Sequence, residues 1–225
     1  MQVGIVGTAT VGRTLAQGFT QKGHDVVIGT RDVEALMART ERDAMGNPPF
    51  AQWKAEHPEI GLTTQVDAMA YGEIVVNATD GEASEAALSA GGEHLTGTIV
   101  LDASNPIDHA SGWPPGLFVA NTDSLGERLQ AALPQARFVK VWNTMTAALM
   151  TDPGVLAGGD HTIPLCGNDA HAKAEVSAIL ESFGWRDILD LGDITAARAM
   201  EAHLLIWLRE LGALDTAMFN TKVVR

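Results

Sequence analysis

Apolar and polar positions along this chain fall into short alternating blocks. Val3, Ile5 and Val6 predict a short strand, and Gly7-Thr8-Ala9-Thr10-Val11-Gly12 turns the chain into a helix whose Val11, Leu15 and Phe19 share one face. Gly23 stops that helix, and Asp25-Val26-Val27-Ile28 is a second strand. Val33, Leu36 and Met37 start a helix that runs to about Ala44 and is broken by Gly46-Asn47-Pro48-Pro49. Phe50 to Pro58 reads as a short helix, Gly61 to Thr64 as a third strand, Val66 to Tyr71 as a helical crossover and Glu73 to Ala78 as a fourth, nearly all-apolar strand. A helix over Ala83 to Ala90, a strand over Thr98 to Asp102, an irregular loop over Ile107 to Ala120, a helix over Ser124 to Leu133 and a strand over Phe138 to Trp142 follow. The rhythm then changes. Asn143 to Met150 is a helical or turning stretch, Thr162 to Cys166 and Ile188 to Leu191 are strands around a helix over Ala170 to Phe183, and a long helix runs from Ile194 to Leu214.

Strands alternating with helices predict an α/β protein: a Rossmann-type doubly wound parallel sheet with a small C-terminal α/β portion ending in a long helix. The expected division is 1–145 for a dinucleotide-binding domain and 146–225 for a small domain with the substrate pocket and dimer contacts. Leu204, Leu205, Leu208, Leu211 and Leu214 make a broad apolar face on the last helix, suited to core or dimer packing. A homodimer is expected.

The first turn carries most of the chemistry. A glycine-rich strand-to-helix junction points backbone N–H groups and a helix dipole at a pyrophosphate. Ala9 stands where the second glycine of G-x-G-x-x-G is expected, so the phosphates should sit slightly further out. The second strand ends in Gly29-Thr30-Arg31 with no carboxylate at its tip; Thr30 and Arg31 suit a 2′-phosphate, which favours NADP(H) over NAD. Asp32 follows at once, and either opposes that phosphate or caps the next helix. Ligands of open α/β sheets bind beyond the carboxyl ends of the strands, so Ala78-Thr79, Ser104-Asn105 and Asn143-Thr144-Met145 should ring a nicotinamide. Asp102 is expected to hold a loop by accepting backbone N–H bonds, and Asp80 is the other strand-end carboxylate. No nucleophile–base pair is evident, and hydride transfer to a ring needs none. Trp113, Trp142, Trp185 and Trp207 are candidates for a flat-ring wall or for plain packing.

Composition narrows the field. The 225 residues carry 28 acidic and 15 basic side chains, a formal charge of −13, which disfavours nucleic acid. An anionic cofactor must then be drawn in by local positive features, Arg31 and the first helix N-terminus. Mean hydropathy is +0.06 and no apolar run is long enough to span a bilayer. The single Cys166 excludes an intrachain disulfide, and with the first strand beginning at residue 2 or 3 the expectation is a cytoplasmic protein without a leader. Cys166 sits in an apolar strand pattern and reads as a buried, inert thiol. The seven histidines are scattered, so no metal site is expected.

The segments GIVGTATVG, VVIGTRD, VVNAT, SNP, ARFVKVWNTM, IPLCGNDA and ILDLGDITAAR occur in this order. Together they resemble the deazaflavin (coenzyme F-420)-dependent NADP oxidoreductases, including their bacterial dinucleotide-binding branch. More distantly they resemble the cytosolic reductase domain of six-transmembrane metalloreductases. The resemblance spans nearly the whole chain. It implies NADPH held at Gly7 to Gly12 and Thr30-Arg31, and an isoalloxazine-like ring on the nicotinamide near Asn143 to Ala147. Three positions depart from the pattern: Ala9, Asp32 in place of a second basic residue, and Asn143 in place of the archaeal histidine. The expected activity is hydride transfer between NADP(H) and a small flavin-like acceptor, deazaflavin first and FMN or FAD second. Alternatives are a flavin-assisted ferric or quinone reductase and a non-catalytic NADPH sensor.

Overall fold

The computed structural model describes residues 1–43 and 46–225. In chain order the elements are β1 (Gln2–Val6), α1 (Thr10–Gln21), β2 (Asp25–Thr30), α2 (Val33–Met37), α3 (Phe50–Glu56), β3 (Gly61–Thr64), α4 (Gln65–Tyr71), β4 (Ile74–Asn77) and α5 (Gly81–Ser89). Then come β5 (Ile99–Asp102), β6 (Ile107–Asp108), β7 (Gly116–Leu117), α6 (Leu125–Ala132), β8 (Arg137–Val141), α7 (Ala147–Thr151), β9 (Thr162–Cys166), α8 (Ala170–Phe183), β10 (Asp187–Asp190) and α9 (Ala197–Leu214). An 8-stranded sheet runs in the order β10-β9-β8-β5-β4-β1-β2-β3. Every neighbouring pair is parallel except β8 with β9. The chain winds from β1 toward β3 on one side and from β4 toward β8 on the other. The switch point therefore lies between β1 and β4, where such sheets open a ligand crevice.

The strands are apolar on both faces because helices cover both. Val3, Ile5, Ile28, Val76, Leu101 and Val139 pack into one core with Leu15, Phe19 and Trp142. Val6, Val75, Val100, Phe138 and Cys166 pack into the other with Leu88, Leu129 and Met200. Burial pushes the Cys166 thiol up to about 12, the inert state its apolar strand suggests. The tryptophans divide. Trp142 and Trp185 are buried, Trp207 stacks on Phe219 with centroids 5.4 Å apart, and Trp113 is 73% exposed. The two buried rings serve the core rather than a ligand wall.

Three local expectations need correction. The helix after β2 ends at Met37, because Arg39 to Asp43 are all polar and leave no face to bury; its expected end at Ala44 lies outside the described residues. The loop over 107–120 contains a small antiparallel ribbon, β6 with β7. The last helix begins as a 3-10 turn at Ile194–Ala196, buries Leu204 and Leu208, and leaves Leu205 and Leu214 exposed. Beyond residue 145, β9 and β10 extend the same sheet through the antiparallel joint at β8. No helix among the described residues is long and apolar enough to cross a membrane.

Candidate cofactor cleft and functional site

The turn after β1 is shaped by steric exclusion. Gly7 adopts φ 130°, and a Cβ there would stand 2.2 Å from the Ala78 carbonyl oxygen. A Cβ on Gly12 would stand 2.0 Å from the Gly7 carbonyl oxygen. Both positions therefore exclude larger residues. Ala9, at φ −83°, is ordinary extended backbone and caps α1 without any side-chain hydrogen bond to the helix. Among the described residues no side chain caps the positive end of α1, which suits an anion site.

Arg13 fixes this turn from behind. Its Nε donates to the Thr8 carbonyl at 2.9 Å and its Nη1 to the Pro48 carbonyl at 2.8 Å, while the guanidinium lies over the Phe50 and Trp53 rings. Burial pulls the Arg13 pKa below its ordinary value, and Asp43 opposes that. Asn47 adds a bond to Thr10 Oγ1 at 2.6 Å, so the segment before α3 is tied to the start of α1.

Gly7, Thr8, Ala9, Thr30, Arg31, Ala78 and Thr79 line one cleft of about 590 Å³. Thr10, Val11 and Gly12 continue into α1 behind it. Arg39 also lines the cleft, two residues beyond the end of α2. Sequence reasoning missed this residue because it carried the helix on to Ala44. Arg31 and Arg39 are both exposed, and their side chains make no hydrogen bond or ion pair among the described residues. Asp32 is not a free opposing charge: its carboxylate accepts from the Ala35 N–H at 2.9 Å and caps α2.

The β4 loop is held from within. Asn77 Oδ1 accepts from the Thr79 N–H at 3.3 Å and the Thr79 hydroxyl at 2.7 Å. Asp80 caps α5 and accepts from His109 Nε2 at 2.7 Å. That bond to Asp80 holds the His109 pKa above the ordinary histidine value.

Ser104, Asn105, Asn143, Thr144 and Met145 do not line this cleft; they gather at the β5 and β8 ends of the sheet. All but the half-buried Asn105 are buried. Trp142 enters that group with φ 67°, a left-handed conformation rare for a bulky residue, and its ring contacts with Phe19 and Phe183 hold it there. Asn143 Nδ2 donates to the Met200 carbonyl at 3.0 Å, and its Oδ1 has no partner among the described residues. Thr144 also forms part of an apolar cavity of about 200 Å³ with Pro164, Leu189, Leu191, Met200 and His203.

Beneath these loops lies an ionic cluster that sequence reasoning did not foresee. Asp102 accepts from the Ser104 N–H at 3.1 Å, the loop-holding role expected of it, and also from the Lys140 ammonium at 2.8 Å. Lys140 is fully buried and donates to Glu201 at 2.9 Å as well. Burial alone would pull the Lys140 pKa down; the two carboxylates outweigh it and hold the pKa raised. A lysine amid the apolar run Phe138-Val139-Lys140-Val141 was the available signal. No group of three or more His, Cys, Asp or Glu among the described residues is placed to hold a metal ion.

A steric glycine turn feeding an open helix N-terminus, at the switch point of a doubly wound sheet, defines a dinucleotide-binding protein. Comparison with known proteins carries this further. The family model described as NADP oxidoreductase, coenzyme F420-dependent, matches residues 2–106. The crystal structure of an Arthrobacter sp. FB24 protein, described as a candidate F420-dependent NADP-reductase, is 52% identical with a TM-score of 0.95 and covers 99% of both chains. The F420-dependent NADP reductase of Methanocaldococcus jannaschii is 26% identical over 200 residues, 86% of this chain and 87% of that protein. Metalloreductase STEAP3 of Rattus norvegicus is 28% identical over 202 residues, 89% of this chain but only 36% of that longer protein. The chain belongs to the coenzyme F420-dependent NADP oxidoreductase family. It is an NADP-dependent oxidoreductase.

Proposed function

We propose that this protein moves hydride between NADP(H) and a flavin-like ring, with a deazaflavin as the leading acceptor and FMN or FAD second. The observation that carries the reading is a single cleft in which the uncapped N-terminus of α1 faces ligand space shared by Thr30, Arg31 and Arg39. The cradle fits a 2′-phosphorylated dinucleotide: Gly7 and Gly12 admit close backbone approach, and the cations answer the extra phosphate. When bound, the cofactor supplies the hydride. The chain's residues bind and orient. Gly7 to Gly12 hold the pyrophosphate, Thr30 and Arg31 the 2′-phosphate, and Ala78, Thr79, Ser104 and Asn105 the nicotinamide side. Asn143, Thr144 and Met145 bound the acceptor's position, extended by the apolar cavity next to Thr144. No side chain is assigned as acid or base.

In this reading residues 1–145 hold the cofactor, while 146–225 complete the acceptor pocket and carry dimer contacts in a cytoplasmic enzyme. The deazaflavin preference is supported by the printed descriptions of the Arthrobacter and Methanocaldococcus proteins. A flavin-assisted ferric or quinone reductase is the second reading, favoured by the similarity to a metalloreductase. Stopped-flow oxidation of NADPH against deazaflavin, FMN, FAD, quinone and ferric acceptors decides between them. Rapid, saturable transfer to deazaflavin alone supports the first reading, and transfer to iron or quinone only with added flavin supports the second.

A further inference from the structure

Lys140 has three ammonium protons and three partners. They are Asp102 Oδ2 at 2.8 Å, the Ser104 carbonyl at 2.6 Å and Glu201 Oε1 at 2.9 Å. Each partner reaches a different part of the site. Asp102 Oδ1 accepts from the Ser104 N–H, the Ser104 hydroxyl at 2.6 Å and Asn77 Nδ2 at 2.8 Å. Asn77 in turn holds Thr79. Glu201, on α9, accepts from the N–H groups of Leu125 and Gly126 at 2.8 and 2.9 Å, so its charge also answers the positive end of α6. One lysine thereby joins the loops after β4 and β5 to a helix about a hundred residues later in the chain.

Stability alone is a poor account of such a cluster. A buried ion pair contributes little over well-packed apolar residues of the same volume, because desolvating the charges costs as much as their attraction returns. An apolar trio would dock α9 on α6 equally well. It would not hold the Ser104 carbonyl and the Ser104 N–H at once, which the cluster does from both sides of that residue.

We infer that Lys140 is a positioning residue for the nicotinamide: together with Asp102 it clamps Ser104, and through Glu201 it makes α9 set where the Ser104-Asn105 turn stands. This rests on the reading that the nicotinamide lies over the ends of β4 and β5. The C-terminal helix then contributes to cofactor placement without touching the cofactor.

The test compares NADPH with 2′-phospho-ADP-ribose, the same ligand without its nicotinamide, titrated by calorimetry against the native chain, Lys140→Met and Glu201→Gln, with thermal unfolding recorded for each. Glu201→Gln keeps the side-chain shape and carries the test if Lys140→Met does not fold. The native protein is expected to bind NADPH more tightly than the fragment. In Glu201→Gln that advantage should shrink about tenfold, the share of one charge-assisted contact. Fragment affinity should change less than about twofold, since its contacts lie across the switch point. A folded variant that loses both ligands equally, or keeps the full advantage, overturns the inference and leaves the cluster purely structural. A native protein that binds both ligands equally removes the nicotinamide from these loops, and overturns the site reading and the inference together.

Discussion

Asn105 and Asn143 bond each other twice: Asn105 Nδ2 donates to the Asn143 carbonyl at 2.8 Å, and Asn143 Nδ2 donates to Asn105 Oδ1 at 3.0 Å. The pair ties the β5 loop to the β8 loop, 38 residues apart in the chain. Asn143→Leu therefore acts on both loops. It removes the donor to Asn105 Oδ1 and to the Met200 carbonyl while leaving the Asn105 Nδ2 bond to the residue-143 carbonyl, at about 1–3 kcal/mol for a buried polar group left unpaired. Acceptor turnover and NADPH affinity are both expected to fall. Titration of NADPH alongside steady-state rates checks this; a variant that loses turnover and binds NADPH normally would separate Asn143 from the cofactor loop.

Arg31 and Arg39 share one cleft, and their side chains have no protein partner among the described residues. A charge-assisted contact to phosphate is worth about 1.5–3 kcal/mol, or roughly ten- to a hundredfold in affinity. Arg31→Ala and Arg39→Ala should each weaken NADPH by that order and leave NADH nearly unchanged. Calorimetry with both cofactors measures it. Equal affinity of the native protein for NADPH and NADH would remove the 2′-phosphate from this corner.

The glycine turn gives opposite outcomes at neighbouring positions. Gly12→Val would drive a side chain against the Gly7 carbonyl, 2.0 Å from the Cβ position, and should abolish NADPH binding. Ala9→Gly introduces no clash and frees closer backbone approach to the pyrophosphate, so binding should hold or tighten. Fluorescence titration of the two variants distinguishes these effects, and normal binding by Gly12→Val would take the pyrophosphate off this turn.

Cofactor affinity is expected to depend on pH through His109 and Asp80. The Asp80 bond raises the His109 pKa, so the protonated pair is fully formed below about 6.5 and is lost as pH rises through the raised value. Asp80 lines the cleft, and above that window its carboxylate keeps its α5 cap but loses the cationic partner. NADPH affinity should decline across it. His109 is 58% exposed, so the effect should be a few-fold and screened by salt. His109→Gln should flatten the profile; an unchanged profile in that variant would assign the titration elsewhere.

Helix α9 and the segment after it expose Leu205 at 43%, Ile206 at 56%, Leu214 at 55% and Met218 at 42%. A second copy would cover these side chains. Light scattering at micromolar concentration should read twice 23.8 kDa, and Ile206→Glu should shift the mass toward the monomer. A native mass of one chain would leave this face to solvent.

Local chemistry in the sequence determined the alternation of elements, the steric turn at Gly7 and Gly12, the basic strand tip at Thr30-Arg31 and the inertness of Cys166. Each depends on neighbours within a few residues: apolar periodicity, a backbone angle, a cap, an apolar strand. Even Asp32, whose sign beside a phosphate was ambiguous, could be read as a cap from the three residues that follow it. The tertiary structure decided what depends on distant partners. Arg39 joins the cleft of Thr30 and Arg31 because α2 stops after Met37, which no periodicity announces. Lys140 meets Asp102 and Glu201 across 38 and 61 residues, and Asn143 meets Asn105 and Met200 across 38 and 57. Such pairings are set by which strands lie side by side and where α9 docks. They are properties of the sheet order, and a linear pattern of polar and apolar residues does not encode them.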